Sequence, residues 1–311
     1  MRSFVLLRAS GALLLLVAAA VAQLPEDDPG DFVRQGRILA QKGQQQQAQE
    51  MYRRALQLGP DSWQANDAMG VSLDLSGNYA EARKHFTRAM NSATGPNKIR
   101  ALRDMAVSFA FESNCGEAEV YGQQAYDLAL AAKDFYTAGE VANELGRICI
   151  EAGDLDKAQQ WYRTGYETGL KQPDIKPDRR NLWAFRWEHA QARIAARRGN
   201  KEQAEKHVAA AQQVLAAGDN AEQLQFMPYL AGYVEFYLGD YKLALDNLIK
   251  GNQNDPFILS MIARTYEKLG DHAKALDYYS RSLASQAHNP AVAFSRPLAL
   301  RKLAAERRQT G

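Results

Sequence analysis

A chain of 311 residues with 46% hydrophobic and 24% charged side chains holds enough apolar material for a folded core, which excludes a disordered chain or a membrane bundle. Its 38 Lys and Arg face 36 Asp and Glu, and without Arg2 and Arg8, which lie in a separate N-terminal segment, the balance is 36 against 36. Neutrality argues against binding nucleic acid or anionic lipid by bulk charge, which needs a strong basic excess.

Residues 1–22 read as a secretory signal. Arg2 and Arg8 supply the positive start, Gly11 to Ala22 is an unbroken small and apolar run, and Ala20-Val21-Ala22 is a small-x-small cleavage pattern leaving Gln23 as the new terminus. The run is shorter than the roughly 20 apolar residues that span a bilayer. The expectation is export, periplasmic or secreted, from a bacterium, with a retained N-terminal anchor as the alternative. After signal removal no stable membrane insertion is expected. Residues 23–31, with Pro25, Glu26, Asp27, Asp28 and Pro29, read as an acidic linker.

Beyond the linker a turn signal recurs as Gly77-Asn78, Gly153-Asp154, Gly239-Asp240 and Gly270-Asp271, each with an Ala five residues after the Gly. Gly ends one helix in a left-handed cap, and Asp or Asn caps the start of the next. Gly36 and Gly70, Gly43 and Gly77, Ala48 and Ala82, Tyr52 and Phe86, and Ala55 and Ala89 are each 34 apart. Alanine is about one residue in six, which leans helical.

This pattern resembles the tetratricopeptide repeat. Seven units align on the second-helix Ala48, Ala82, Ala118, Ala158, Ala204, Ala244 and Ala275. The small first-helix residue is then Gly36, Gly70, Ala106, Gly146, Ala192, Gly232 and Ala263. The implied fold is all-α: a right-handed α-solenoid of about seven hairpins (32–60, 63–94, 98–133, 135–171, 179–218, 221–254 and 256–288) plus a C-terminal capping helix within 291–311. Several features depart from the family pattern. The large second-helix residue is lost at Gly122, and Ser113 replaces a turn Gly. The spacing between units stretches to 36, 40, 46 and 40 before shrinking to 31. Residues 171–180, with Pro173 and Pro177, read as an extra loop, and Pro297 is expected in the first two turns of the last helix or at a kink.

Catalytic signals are missing: the sequence has no G-x-S-x-G, H-E-x-x-H, glycine-rich phosphate loop or C-x-x-C. No two of His85, His189, His207, His272 and His288 are three or four apart, so no helical metal face is supported. No enzyme, metal or cofactor is expected. Cys115 is placed in a turn and Cys149 on a packing face of the next unit, so the expectation is one partly exposed and one buried thiol, too far apart to bond.

The resemblance implies a concave groove lined by the first helix of each unit. Carried over, its positions are Arg100, Arg103, Val107, Ala110 and Phe111 in unit three. Unit four gives Glu140, Asn143, Arg147, Ile150 and Glu151, and unit five gives Arg186, His189, Arg193, Ala196 and Arg197. Six Arg against two Glu suit a carboxylate partner, since guanidinium is planar, bidentate and permanently charged. In unit six the same positions are Phe226, Tyr229, Tyr233, Phe236 and Tyr237. They form either an exposed aromatic shelf for a peptide or, if the helix is rotated, core. Glu235 at an expected core position favours rotation. Trp183 and Trp187 share a face, expected to bury against unit four. The functional expectation is a non-enzymatic scaffold that binds another protein or peptide through this groove, on an acidic or C-terminal segment. The alternatives are a structural subunit of an envelope assembly, pilus or secretion machine, and a cell-wall carbohydrate binder resting on the aromatic stripe. Nucleic acid is not an expected partner.

Overall fold

The computed structural model describes residues 28–216, 218 and 220–310, so the expected signal segment and most of the linker lie outside the described residues. Among the described residues the chain is all-helical. Helices pair as α1 (Pro29–Gln41) with α2 (Gln45–Leu58), α3 (Trp63–Leu75) with α4 (Tyr79–Ser92), and α5 (Gly95–Ala110) with α6 (Cys115–Ala131). They continue as α7 (Phe135–Ala152) with α8 (Leu155–Gly169), and α9 (Pro177–Arg197) with α10 (Lys201–Ala216). The last pairs are α11 (Met227–Leu238) with α12 (Tyr241–Leu248), and α13 (Pro256–Leu269) with α14 (His272–Ser282), followed by α15 (Pro290–Thr310). Prolines move two boundaries. Asp28 accepts from the Gly30 N–H at 2.9 Å, so α1 starts at Pro29, inside the expected linker. Pro177 opens α9 at its first position without a side-chain cap, which leaves a connection of only residues 170–176.

Each hairpin is held by a large side chain of the second helix pressed onto a small residue of the first. A Cβ on Gly70 would sit 2.6 Å from the Phe86 ring, and one on Gly146 2.8 Å from Tyr162. The exception at Gly122 has a packing reason: its bare backbone admits Leu145 from the next unit, which a Cβ would meet at 2.5 Å. The turns follow the same economy. Six turn glycines take φ between 72° and 98°, and Ser113 adopts φ 56° in their place. Asn114, Asp134, Asp154, Asp240 and Asp271 cap the following helices through their side chains, whereas Asn78 makes no such bond.

Trp183 is fully buried on Gly169 and Gly139 of unit four, and Trp187 stacks on Tyr166 with centroids 5.6 Å apart. The cysteine expectation is corrected. Cys115 and Cys149 form a disulfide with Cα atoms 4.9 Å apart, and both are buried. The reason is topological: α6 and α7 run antiparallel through the short turn at residues 132–134, so the start of α6 lies beside the end of α7.

The ends of the array do not stay apart. The residues after α14 cross back to the concave side, and α15 starts against α5 and α7. Val292 and Ala293 are buried among Leu75, Ala106, Val107, Ala110, Phe111 and Ile148. Arg296 donates from Nε to the Leu75 carbonyl at 2.8 Å, and Gln45 donates to Gln286 at 2.9 Å. The last helix is therefore more than an end cap, because its first turns close the superhelix. Pro297 lies inside it, where its missing N–H removes one helical bond.

Candidate functional site

Three acids come together from adjacent first helices: the buried Asp67 and Asp74 from α3, and the partly buried Asp104 from α5. His288, on the segment leading into α15, inserts between two of them. Its Nε2 donates to Asp74 Oδ2 at 2.9 Å and its Nδ1 to Asp104 Oδ1 at 3.0 Å. With both ring nitrogens facing carboxylates the imidazole is doubly protonated. Burial opposes its charge, but the two hydrogen bonds and both negative charges push His288 up to about 10. Burial, with the neighbouring Asp104 charge, pushes Asp67 up to about 7, despite the Arg100 guanidinium 3.1 Å away.

The C-terminal segment changes what the groove offers. Val107, Ala110 and Phe111, expected to line it openly, are buried under Val292 and Ala293. The aromatic shelf of unit six is likewise not formed, because Tyr229, Tyr233 and Phe236 are buried. In this unit α11 packs on α9, and its stripe faces α7, α9 and α13. Tyr229 meets His189 and Phe257 with centroids 5.6 and 6.2 Å apart, and the Tyr233 hydroxyl donates to Glu151 at 3.0 Å. Tyr237 lies half-buried under the Arg197 guanidinium, 4.7 Å from the ring centroid. Glu235 points away and accepts from Asn247 at 2.9 Å. The carbohydrate-binding alternative thereby loses the stripe on which it rested.

What remains open is a cavity of about 380 Å³ centred on units four and five, with Arg103 of unit three and Tyr229 of unit six at its sides. Arg103, Asn143, Arg147, Arg186, His189, Arg193 and Tyr229 line it together, with Glu140, Glu144, Tyr162, Phe185, Gln223 and Phe226. Asn289 and Pro290 form its wall toward the N-terminal units. Arg100 and Arg197 lie outside this lining. Most of the arginines are matched: Arg103 with Glu144 at 2.7 Å, Arg186 with Glu140, Arg197 with Glu151 at 3.3 Å, and Arg100 with Asp67 and Asp104. Sequence reasoning missed Glu144, which lies between two expected groove positions, and it missed the Asp67, Asp74 and Asp104 cluster. Arg147 and Arg193 have no carboxylate partner among the described residues. Arg193, 5% exposed, donates to the Tyr162 hydroxyl at 2.7 Å. His189 is held well below its ordinary value by burial and by these two guanidiniums, so it is neutral. Among the described residues no group of three or more His, Cys, Asp or Glu is placed to hold a metal ion, and no helix is long and apolar enough to cross a membrane.

Tetratricopeptide repeat family models match residues 33–97 and residues 258–291. No curated protein matches the chain. Among solved structures it is similar to a tetratricopeptide repeat protein from Parabacteroides merdae, at 13% identity and TM-score 0.51, with 89% of this chain and 97% of that one covered. It is also similar to the apo form of RapI, at 11% identity and TM-score 0.56, covering 89% and 99%. A third likeness is to the tetratricopeptide-like repeats of a putative kinesin light chain from Podospora anserina, at 14% identity and TM-score 0.50, covering 62% and 98%. At these identities the structural likeness speaks to fold alone. Family models at both ends of the array make the chain a tetratricopeptide repeat protein, and between them Gly146 under Tyr162 and Gly232 under Leu248 repeat the small-on-large packing.

Proposed function

We propose that this chain is a non-enzymatic scaffold, exported through its N-terminal segment, that holds another protein by an acidic or C-terminal stretch in the concave face of units four and five. The observation that carries the reading is the charge balance of that face. Arg147 and Arg193 stand without a carboxylate, although every other arginine of the expected groove has one. A positive surplus in a partly water-excluded concavity attracts anionic groups more strongly than the same charges would on an open surface. Residues 1–22, with their basic start and small-x-small cleavage pattern, support export.

The test is an affinity capture from an envelope fraction using the mature chain and its Arg147→Glu variant. An acidic octapeptide serves as competitor. The expected result is a bound protein that the charge reversal and the competitor both release. Capture indifferent to both would sink the reading.

A further inference from the structure

The open part of the concave face is a pocket and not a channel. An extended peptide following the groove from unit four toward unit two would meet Asn289 and Pro290, and behind them the buried Val292 and Ala293. The space left, about 380 Å³, is at the small end of sites that take compact molecules, which run from about 300 to 1,000 Å³.

Its polar groups are incompletely used. Arg147 Nε and the Tyr229 hydroxyl are shut off from water and have no hydrogen-bond partner. Tyr229 is 4% exposed, and both side chains line the pocket. Arg193 has only neutral partners, Tyr162 and the His189 carbonyl. Two like charges close enough to repel, neither in salt-bridge contact with a carboxylate, with Asp255 and Glu151 acting on them only from a distance, and both bordering one cavity, are a costly arrangement that a bound anion relieves. Phe185, Phe226, Tyr162 and Pro290 supply its apolar walls, while its two carboxylates, Glu144 and Glu140, are already paired with Arg103 and Arg186.

We infer that this pocket takes a single carboxylate carried on a compact apolar body, with Arg147 and Arg193 as its counter-ions and the Tyr229 hydroxyl as a further donor. The inference rests on the binding role proposed for the concave face, and it narrows that role to capture of one end. The same chemistry is presented by a protein chain terminating in a hydrophobic residue and by a free organic acid. Charge repulsion between the two guanidiniums falls when the carboxylate arrives, so binding stabilises the fold as well.

The probes are 3-phenylpropionate, its primary amide, and a hexapeptide ending in Phe with either a free or an amidated C-terminus. Each is titrated into the full mature chain by calorimetry and followed as a rise in melting temperature. The expected result is that a free carboxylate binds and raises the melting temperature, and that its amide is weaker by at least about tenfold. Arg147→Gln removes this preference while keeping the wild-type helical content. The control Arg281→Gln, on α14 and paired with Asp277, leaves it unchanged. Binding of the hexapeptide alone identifies a protein terminus as the ligand, and binding of the small acid identifies a free acid. The inference is overturned if acids and amides bind equally, if neither binds, or if Arg147→Gln retains the preference. If that happens while capture from the envelope still depends on Arg147, the scaffold reading survives and only the end-capture is lost.

Discussion

Replacing His288 with Ala tests whether the ends of the array are locked by charge. His288 is 5% exposed in its side chain and stands between Asp74, which is fully buried, and Asp104. Its removal leaves Asp74 with one remaining donor, the Ser108 hydroxyl at 3.0 Å, and leaves Asp104 beside Asp67 with Arg100 as the cation in ion-pair contact with them. Breaking a buried ion pair by deleting one partner costs about 3–5 kcal/mol. The wild-type protein carries its own check. A histidine whose folded value lies at about 10, above the 6.5 of the unfolded chain, stabilises fully below the lower value and loses that contribution as pH rises through the higher. Between pH 7 and 10 the loss is on the order of 4 kcal/mol, at about 1.4 kcal/mol per pH unit. Urea unfolding followed by circular dichroism, repeated across this range, should show wild-type stability falling as pH rises. The His288→Ala variant should be weaker at pH 7 and nearly flat from 7 to 10. A wild-type curve without slope, or a variant within about 1 kcal/mol of wild type, would refute the lock.

Other outcomes follow from the packing. Reducing the Cys115–Cys149 bond releases a loop with sequence separation 34 and should lower stability by about 3–4 kcal/mol, read as a drop in melting temperature with reductant. Alkylation without reductant should label neither cysteine even after denaturation. Gly70→Val puts a side chain where a Cβ already meets Phe86 at 2.6 Å, and should cost at least about 1–3 kcal/mol by denaturant unfolding. Trp183→Ala empties a fully buried site between units four and five and should cost about 3–5 kcal/mol. As pH falls through about 7, protonation of Asp67 relieves its repulsion with Asp104, so urea unfolding should show stability rising from pH 8 to 6 even in the His288→Ala variant, which lacks the histidine's own contribution.

The hairpins were legible because each is decided within about forty residues. A glycine or alanine, a large partner sixteen residues on, and a turn glycine between them report one local contact, as Gly70 and Phe86 do. Ser113 and Gly122 broke the pattern in the sequence, and the structure gives each a local reason. The groove was harder to read. A template of helix positions names which residues face inward, as it did for Arg147 and Arg193, but it does not say what else faces inward. The burial of Val107 and Phe111 depends on how far seven small rotations add up, and no window of the sequence contains that sum. The acids did leave a signal, since Asp67 and Asp74 lie seven apart on one face of a helix whose other residues carry no charge. The disulfide escapes the repeat template because that template places Cys115 in a turn and Cys149 on the packing face of the next unit, whereas Cys115 begins one helix and Cys149 nears the end of its antiparallel neighbour.

Tying the last helix to the first units also bears on how the chain is made. An ordinary solenoid is quasi-one-dimensional: each repeat can form as soon as its neighbour exists. Here Gln45 bonds Gln286 across 241 residues, Leu75 receives Arg296 across 221, and Asp74 meets His288 across 214. Contacts of such sequence separation slow folding and come late. During vectorial synthesis the first three units emerge with Asp74 and Asp104 lacking their histidine and their inner apolar faces bare, and they stay so until nearly the whole polypeptide has left the ribosome. A nascent chain in that state is a natural client for holding chaperones, and a translation product truncated before residue 288 has no means of leaving it.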